Sequence, residues 1–212
     1  MPPKGTAATR LQNSEPRVRR GYFECRYGQL HVHNAIAPGG GFEEGTALLC
    51  LHGAGQTGRV FQRFLPFLGR DRSVYAPDIP GSGESDGPSR IGVLDAAVAL
   101  GDFLDAMRFR QIDVLGYQGG SLVAAELAIA RPQQVRRVVL VGVPAAPETE
   151  RLRQIGQPVL VARTKDELWD PTQRARDFLP RARALELPQF GAGLFDAGAE
   201  AIAAPLKEFL GA

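Results

Sequence analysis

Histidine is scarce in this 212-residue chain: there are three, His31, His33 and His52, and none in the C-terminal half. Imidazole is the usual proton carrier near neutral pH, so a histidine general base from the later part of the chain is excluded. Cysteine is scarcer still. Cys25 and Cys50 both fall inside apparent strands, which reads as two buried free thiols in a reducing compartment and not as a disulfide framework. No apolar run approaches membrane-spanning length, so neither a membrane helix nor a membrane partner is expected. The residues after Met1 lack the apolar core of a secretory signal. Charge of one sign is also lacking: 25 Lys and Arg against 23 Asp and Glu leave a formal +2. The basic residues are scattered, so no nucleic-acid partner is expected. What remains is a cytoplasmic globular protein of a length that suits one large domain.

Met1 to about Arg17 is rich in Pro, Ala, Arg and Gly without periodicity, so residues 1–18 are read as a flexible tail and 19–212 as a single domain. Two strand-like runs, Tyr22 to Tyr27 and Gln29 to Ala35, meet at Gly28 and predict a hairpin at a sheet edge. Pro38 to Gly41 is a loop. From Thr46 onward short apolar runs alternate with helical patterns. Ala47–Leu51, Ser73–Ala76, Ile112–Leu115, Val138–Val141, Pro158–Val161 and Ala182–Leu187 read as strands. A helix is expected from Arg59 toward Leu68, its last turn distorted by Pro66. Ile91–Met107 carries Leu94, Ala97, Val98, Leu100 and Leu104 at helical spacing, and Ile202–Leu210 closes the chain as a helix. Strands apolar on both faces, alternating with helices, imply an α/β protein whose parallel sheet is covered on both sides.

Between the strand at Leu115 and the helix-forming run Leu122–Ala128 stands Gly116-Tyr117-Gln118-Gly119-Gly120-Ser121. Strand, glycine-flanked turn and helix is the setting of the G-x-S-x-G nucleophile elbow, where the backbone approaches itself too closely for a Cβ. The tip residue here is Gln118, whose amide is no ordinary nucleophile but can donate and accept hydrogen bonds. Earlier, His52-Gly53-Ala54-Gly55 follows the strand ending at Leu51. A turn of that kind aims backbone N–H groups at a developing oxyanion, and the donors would be Ala54 and Gly119. Ser121 lies in the first turn of the helix, where its hydroxyl is expected to satisfy free helix N–H groups. His31 and His33 alternate along the edge strand and share a face. Two histidines so spaced could hold a metal, but such a pair is expected at the surface, with no metal and no cofactor. Phe61, Phe64 and Phe67 recur at helical spacing as core, and Asp78 and Ser85 brace a loop.

Taken in order, His52-Gly53, Asp78-Ile79-Pro80-Gly81-Ser82-Gly83-Glu84-Ser85 and Gly116-Tyr117-Gln118-Gly119-Gly120 resemble the successive signatures of the α/β-hydrolase superfamily. The resemblance runs from about Tyr22 to the C-terminus. It implies a three-layer α/β/α sandwich around a mostly parallel eight-stranded sheet. With only Gly142 to Gln157 between the sixth and seventh strands, it also implies a cap reduced to one short helical segment. In the family's order of nucleophile, acid and base, Gln118 takes the nucleophile position, Asp166 the acid, with Asp170 the second choice, and Ala192 the histidine. Helix capping ahead of Pro171 is the competing reading of either aspartate. His52 would brace the oxyanion turn. Tyr117 and Trp169 join Gly53, Ala54, Gly119 and Ala192 as residues expected around a ligand, though Trp169 reads equally as cover for the shortened cap.

The functional expectation is therefore a hydrolase-fold protein without a serine triad that binds a small apolar molecule, with no chemistry or with non-hydrolytic, lyase- or cyclase-like chemistry. Two alternatives stay open: a hydrolase in which Gln118 and Asp166 position water for ester or carbon–carbon cleavage, and a protein-interaction module. Whether Gln118 is natural or an introduced replacement, and whether the chain forms a homo-oligomer, are also left open by the sequence.

Overall fold

Period-two alternation assigns each strand residue to one of two hydrophobic layers. In β3 (Gly45–Leu51) Leu49 and Leu51 face one core, and Leu48 and Cys50 face the other. In β6 (Val135–Val141) Val138 and Leu140 face the first core, Val139 and Val141 the second. A strand with no polar face needs a covering layer on each side, and β4 (Arg72–Pro77), β5 (Ile112–Tyr117) and β7 (Val159–Thr164) are buried in the same way. The computed structural model describes residues 16–37, 45–191 and 193–211. The loop expected at Pro38–Gly41, the residue at the histidine position, Ala192, and most of the N-terminal tail lie outside the described residues.

With β1 (Val18–Cys25), β2 (Gly28–Ala35) and β8 (Arg183–Leu187), these strands form one eight-stranded sheet in the order β1-β2-β4-β3-β5-β6-β7-β8. The β1–β2 and β2–β4 pairs are antiparallel and all other pairs are parallel. The expected three-layer sandwich is the fold observed. The hairpin forms as expected, but β1 starts at Val18 rather than Tyr22 and is itself the edge, so β2 lies inside the sheet. Ahead of it, Pro16 is already buried.

Helices α1 (Leu65–Leu68), α2 (Val93–Ala106), α3 (Gly119–Ala130), α4 (Trp169–Ala175) and α5 (Ala199–Gly211) flank the sheet. Leu100 and Leu104 of α2 and Leu122 and Leu127 of α3 fill the first core. Leu65 and Leu68 of α1 and Ile202 and Leu206 of α5 fill the second, with Phe61, Phe64 and Phe195 stacked edge to face. The helix expected from Arg59 to Leu68 is instead a 3₁₀ turn, Gly58–Phe61, followed by α1. Pro66 sits in the first turn of α1, where a missing N–H removes no intrahelical bond, and so it starts the helix rather than distorting its end.

Between β6 and β7 the chain makes one 3₁₀ segment, Pro147–Gln154, which agrees with a reduced cap. Leu152 anchors it in the first core, and Arg151 pairs with the buried Glu126 of α3. Asp113, fully buried in β5, accepts from Arg72 Nη1 at 3.1 Å and from Arg136 Nε at 2.9 Å and Nη2 at 2.7 Å. Cys50 is buried, Cys25 half-buried, and both are free thiols. Among the described residues no helix is long and apolar enough to cross a membrane.

Candidate functional site

Strand β5 ends at Tyr117 and α3 begins at Gly119, which leaves Gln118 alone to turn the chain. Its backbone sits at φ 52° and ψ −124°, a region an L-residue enters only under strain. Two glycines make the bend possible. A Cβ on Gly116 would lie 2.4 Å from Gly120 O, and one on Gly120 would lie 2.1 Å from Leu51 O. The strained strand-to-helix turn of a nucleophile elbow is thus built, with an amide at its tip.

That amide is tied down from the neighbouring turn. Gln56 Nε2 donates to Gln118 Oε1 at 3.1 Å, while Gln56 Oε1 accepts from the Gly53 N–H, also at 3.1 Å. Gln118 Nε2 donates to the Tyr117 hydroxyl at 3.4 Å, a long bond that leaves its second N–H for another acceptor. Gln56 escaped sequence reasoning because a lone glutamine within a glycine-rich turn carries no motif. Gly53, Ala54 and Gly119 do converge: a Cβ placed on Gly119 would be 3.5 Å from Ala54 N and 3.8 Å from Gly53 Cα. The N–H of Gly119 opens α3 and has no acceptor within the helix.

His52 is buried and spent on its own loop. Nδ1 donates to Gly53 O at 2.8 Å and Nε2 accepts from the Ile79 N–H at 2.9 Å. Burial pushes its pKa down, and both ring nitrogens are engaged, so it braces the turn as expected and cannot relay a proton. Ser121 is likewise sealed, but its hydroxyl donates to the strand carbonyls of Gly116 at 3.0 Å and Val141 at 3.2 Å, rather than accepting from free helix N–H groups as expected from sequence. The reason is position: α3 lies directly against the ends of β5 and β6. Among the described residues no imidazole is hydrogen-bonded to Gln118.

Asp166 lies in the turn after β7. Its Oδ2 accepts from Thr164 Oγ1 at 2.6 Å and its Oδ1 from the Leu168 N–H at 2.9 Å, so the carboxylate organises the entry to α4. This turn reaches the elbow through Leu168: a Cβ on Gly142 would lie 3.3 Å from Leu168 Cδ1 and 3.8 Å from Gln118 Cγ. The turn also meets the segment before Ala192, since Lys165 N–H donates to Phe190 O at 2.7 Å. Asp170 is in the first turn of α4 and Leu168 holds the N-cap position, so of the two aspartates weighed for capping it is Asp166, bonded to the Leu168 N–H, that orders the start of the helix. Trp169 stacks under the Arg163 guanidinium, 4.0 Å from its ring centroid. Tyr117 is fully buried, edge to face with Phe195, and burial, with Asp166 and Glu167 nearby, pushes its hydroxyl up to about 12.

Beside the elbow opens a cavity of about 430 Å³. Gly53, Ala54 and Gly119 form its polar end, and Ile79, Ile91, Val93, Leu122 and Val123 contribute an apolar wall, with Arg90 also on the lining. Gln118, Tyr117, Asp166 and Trp169 stand outside this lining. The loop above it is braced as expected: Asp78 accepts the N–H groups of Gly58 at 2.7 Å and Glu84 at 3.0 Å, and Ser85 Oγ donates to Asp78 O at 2.7 Å.

The expected surface pair of histidines is overturned. His31 is 2% and His33 7% exposed, because β2 is flanked by β1 and β4 rather than lying at the edge. His31 Nδ1 lies 2.9 Å from Asp78 Oδ2.

Comparison with known proteins agrees with this architecture. The chain is 36% identical over 106 residues to 2-hydroxymuconate semialdehyde hydrolase of Pseudomonas sp. strain CF600, a match covering 46% of this chain and 36% of that protein. It is 34% identical over 98 residues to the magnesium-chelatase 30 kDa subunit of Rhodobacter capsulatus, covering 45% and 34%. The matches thus span little more than a third of these relatives' length. Among solved structures, naproxen esterase (carboxylesterase NP) from Bacillus subtilis superposes with a TM-score of 0.77 at 17% identity, over 92% of each chain. The thioesterase domain from the curacin biosynthetic pathway gives 0.76 at 15% identity, over 89% of this chain and 99% of that one. Residues 46–188 match the family model for the alpha/beta hydrolase fold, and the chain belongs to that family.

Proposed function

We propose that this protein binds a small, mostly apolar molecule bearing a carbonyl or carboxylate group, and that it does not hydrolyse esters through a serine-type relay. One observation carries the reading: the strained elbow is intact, but it presents an amide anchored by Gln56, with no imidazole bonded to it among the described residues. An amide supplies no ordinary nucleophile, and without a base there is nothing to take a proton from an attacking hydroxyl. What survives at the polar end of the cavity is a set of donors, the N–H groups of Ala54 and Gly119. Donors facing an apolar chamber of this size suit an acceptor head on a hydrocarbon body. Arg90 on the lining favours a carboxylate over a neutral ketone.

The test is a thermal-shift and calorimetric screen of apolar carboxylic acids, ketones and esters, repeated on Val123→Trp, which fills the cavity. Saturable binding of acids or ketones that the variant loses supports the proposal. An absence of binding across the panel, with the protein folded, removes it and favours an interaction module. Steady turnover of an ester instead of simple binding favours water positioned by Gln118 and Asp166.

A further inference from the structure

Asp78, which braces the loop at the ligand cavity, also borders a second polar cluster that the proposed function does not use. His31 and His33 alternate on β2, so both rings stand on one side of the sheet, 4.8 Å apart between centroids and at 79° to each other. They line a separate cavity of about 500 Å³ together with Asp78, Glu84, Arg20 and Arg59. One donor atom from each of His31, His33 and Asp78 lies within 4.8 Å of the others.

The hydrogen bonds of the cluster assign different tasks to the three residues. Asp78 already receives the Gly58 N–H on Oδ1, and the Glu84 N–H and His31 Nδ1 on Oδ2. Its lone pairs are largely taken, so it acts through His31. A neutral imidazole that gives its Nδ1 proton to Asp78 has a bare lone pair on Nε2. That atom is buried and without a partner, a costly state for a polar group. An anion cannot relieve it, because a lone pair needs a donor or a cation. Carboxylate–imidazole–lone pair is the arrangement in which an outer carboxylate fixes the tautomer of a metal-ligating histidine and raises its basicity. Among the described residues, the His33 ring beside it has no hydrogen-bond partner that would have to be given up. Arg20 does not leave excess positive charge, since its guanidinium is 3.6 Å from Glu84.

We propose that His31 Nε2 and His33 bind a divalent transition-metal ion of the zinc type, with Asp78 as the positioning residue and solvent from the cavity completing the shell. Imidazole nitrogens about 2.0–2.1 Å from zinc stand roughly 3.4 Å apart in a tetrahedron, and the donor atoms of this cluster lie within 4.8 Å of one another. Nitrogen ligands select zinc, nickel, cobalt or copper over magnesium and calcium.

Calorimetric titration of the untagged full chain with Zn²⁺, and its visible spectrum with Co²⁺, test the proposal. One saturable site is expected, together with a cobalt spectrum of low-symmetry nitrogen coordination. His33→Gln should abolish both while circular dichroism stays unchanged. Asp78→Asn should weaken affinity about 10–100-fold; because Asp78 also anchors two backbone N–H groups, His33→Gln is the deciding variant if Asp78→Asn fails to fold. Magnesium should not compete. Wild-type protein that binds no zinc, or zinc binding that survives in His33→Gln at unchanged affinity, overturns the proposal. So does a Co²⁺ spectrum dominated by thiolate charge transfer, which would place the ion on Cys25.

Discussion

Gly120 is the sharpest test of whether the elbow is held as described. It is the second residue of α3, and a Cβ there would lie 2.1 Å from Leu51 O and 2.6 Å from His52 O, both backbone atoms that cannot rotate away. Helical propensity alone favours Gly120→Ala by about 1 kcal/mol. Against this stands the displacement of α3 from the end of β3 by more than an ångström, and overpacking of that kind costs typically ~1–3 kcal/mol or more. The contact here involves two carbonyl oxygens at far less than van der Waals distance, which places the cost at or above the top of that range. The expected net loss is about 2 kcal/mol or more, read as a lower urea midpoint at unchanged slope. For a chain of this size that is a fall of roughly 4–8 °C in Tm. Gly156→Ala is the internal control: nothing lies within 4 Å of its added Cβ, so it should be neutral or raise stability by ~0.4–1 kcal/mol through the unfolded chain. The two turns forming the ligand cavity's polar end also separate in Gly120→Ala, so ligand affinity should drop with stability. A Gly120→Ala protein as stable as wild type would refute the close approach of α3 to β3, and with it the elbow geometry.

Two further outcomes follow from buried chemistry. Asp113→Ala leaves Arg72 enclosed without its carboxylate, and breaking a buried pair from one side should cost about 3–5 kcal/mol in urea unfolding; a loss below 1 kcal/mol would show that Arg72 relaxes to solvent. Burial pushes the Cys50 thiol far up from its ordinary value, so a maleimide at neutral pH should label Cys25 in the native protein and Cys50 only after unfolding, with mass spectrometry reading the sites.

The layers were legible because the runs Ala47–Leu51 in β3 and Val138–Val141 in β6 are apolar at every position, and this chemistry admits only a sheet covered on both sides. The elbow was legible because Gly116 and Gly120 are required by backbone contact rather than by any side-chain role. Other features were hidden for equally physical reasons. A hairpin read from Tyr22 to Ala35 does not say which strand pairs onward, and it is the β2–β4 pairing that buries His31 and His33. Asp113 and Arg72 sit in strands whose patterning says core, and their mutual satisfaction is a contact between residues far apart in sequence. Gln56 acts only through the position of Gln118. Helix α4 is short and carries Pro171 in its first turn, where proline is tolerated, so no helical periodicity marks it in the sequence.

The central claim is that the hydrolase cradle remains while the groups that would move protons through it are gone. The most direct measurement is ester hydrolysis, with fluorophosphonate labelling, by the wild type, Gln118→Ser and the double variant Gln118→Ser/Ala192→His. The account predicts background rates and no label for the wild type, weak activity at most for the single variant, and labelling at position 118 with measurable turnover only in the double variant. Hydrolysis by the wild type that Gln118→Ala abolishes would contradict it.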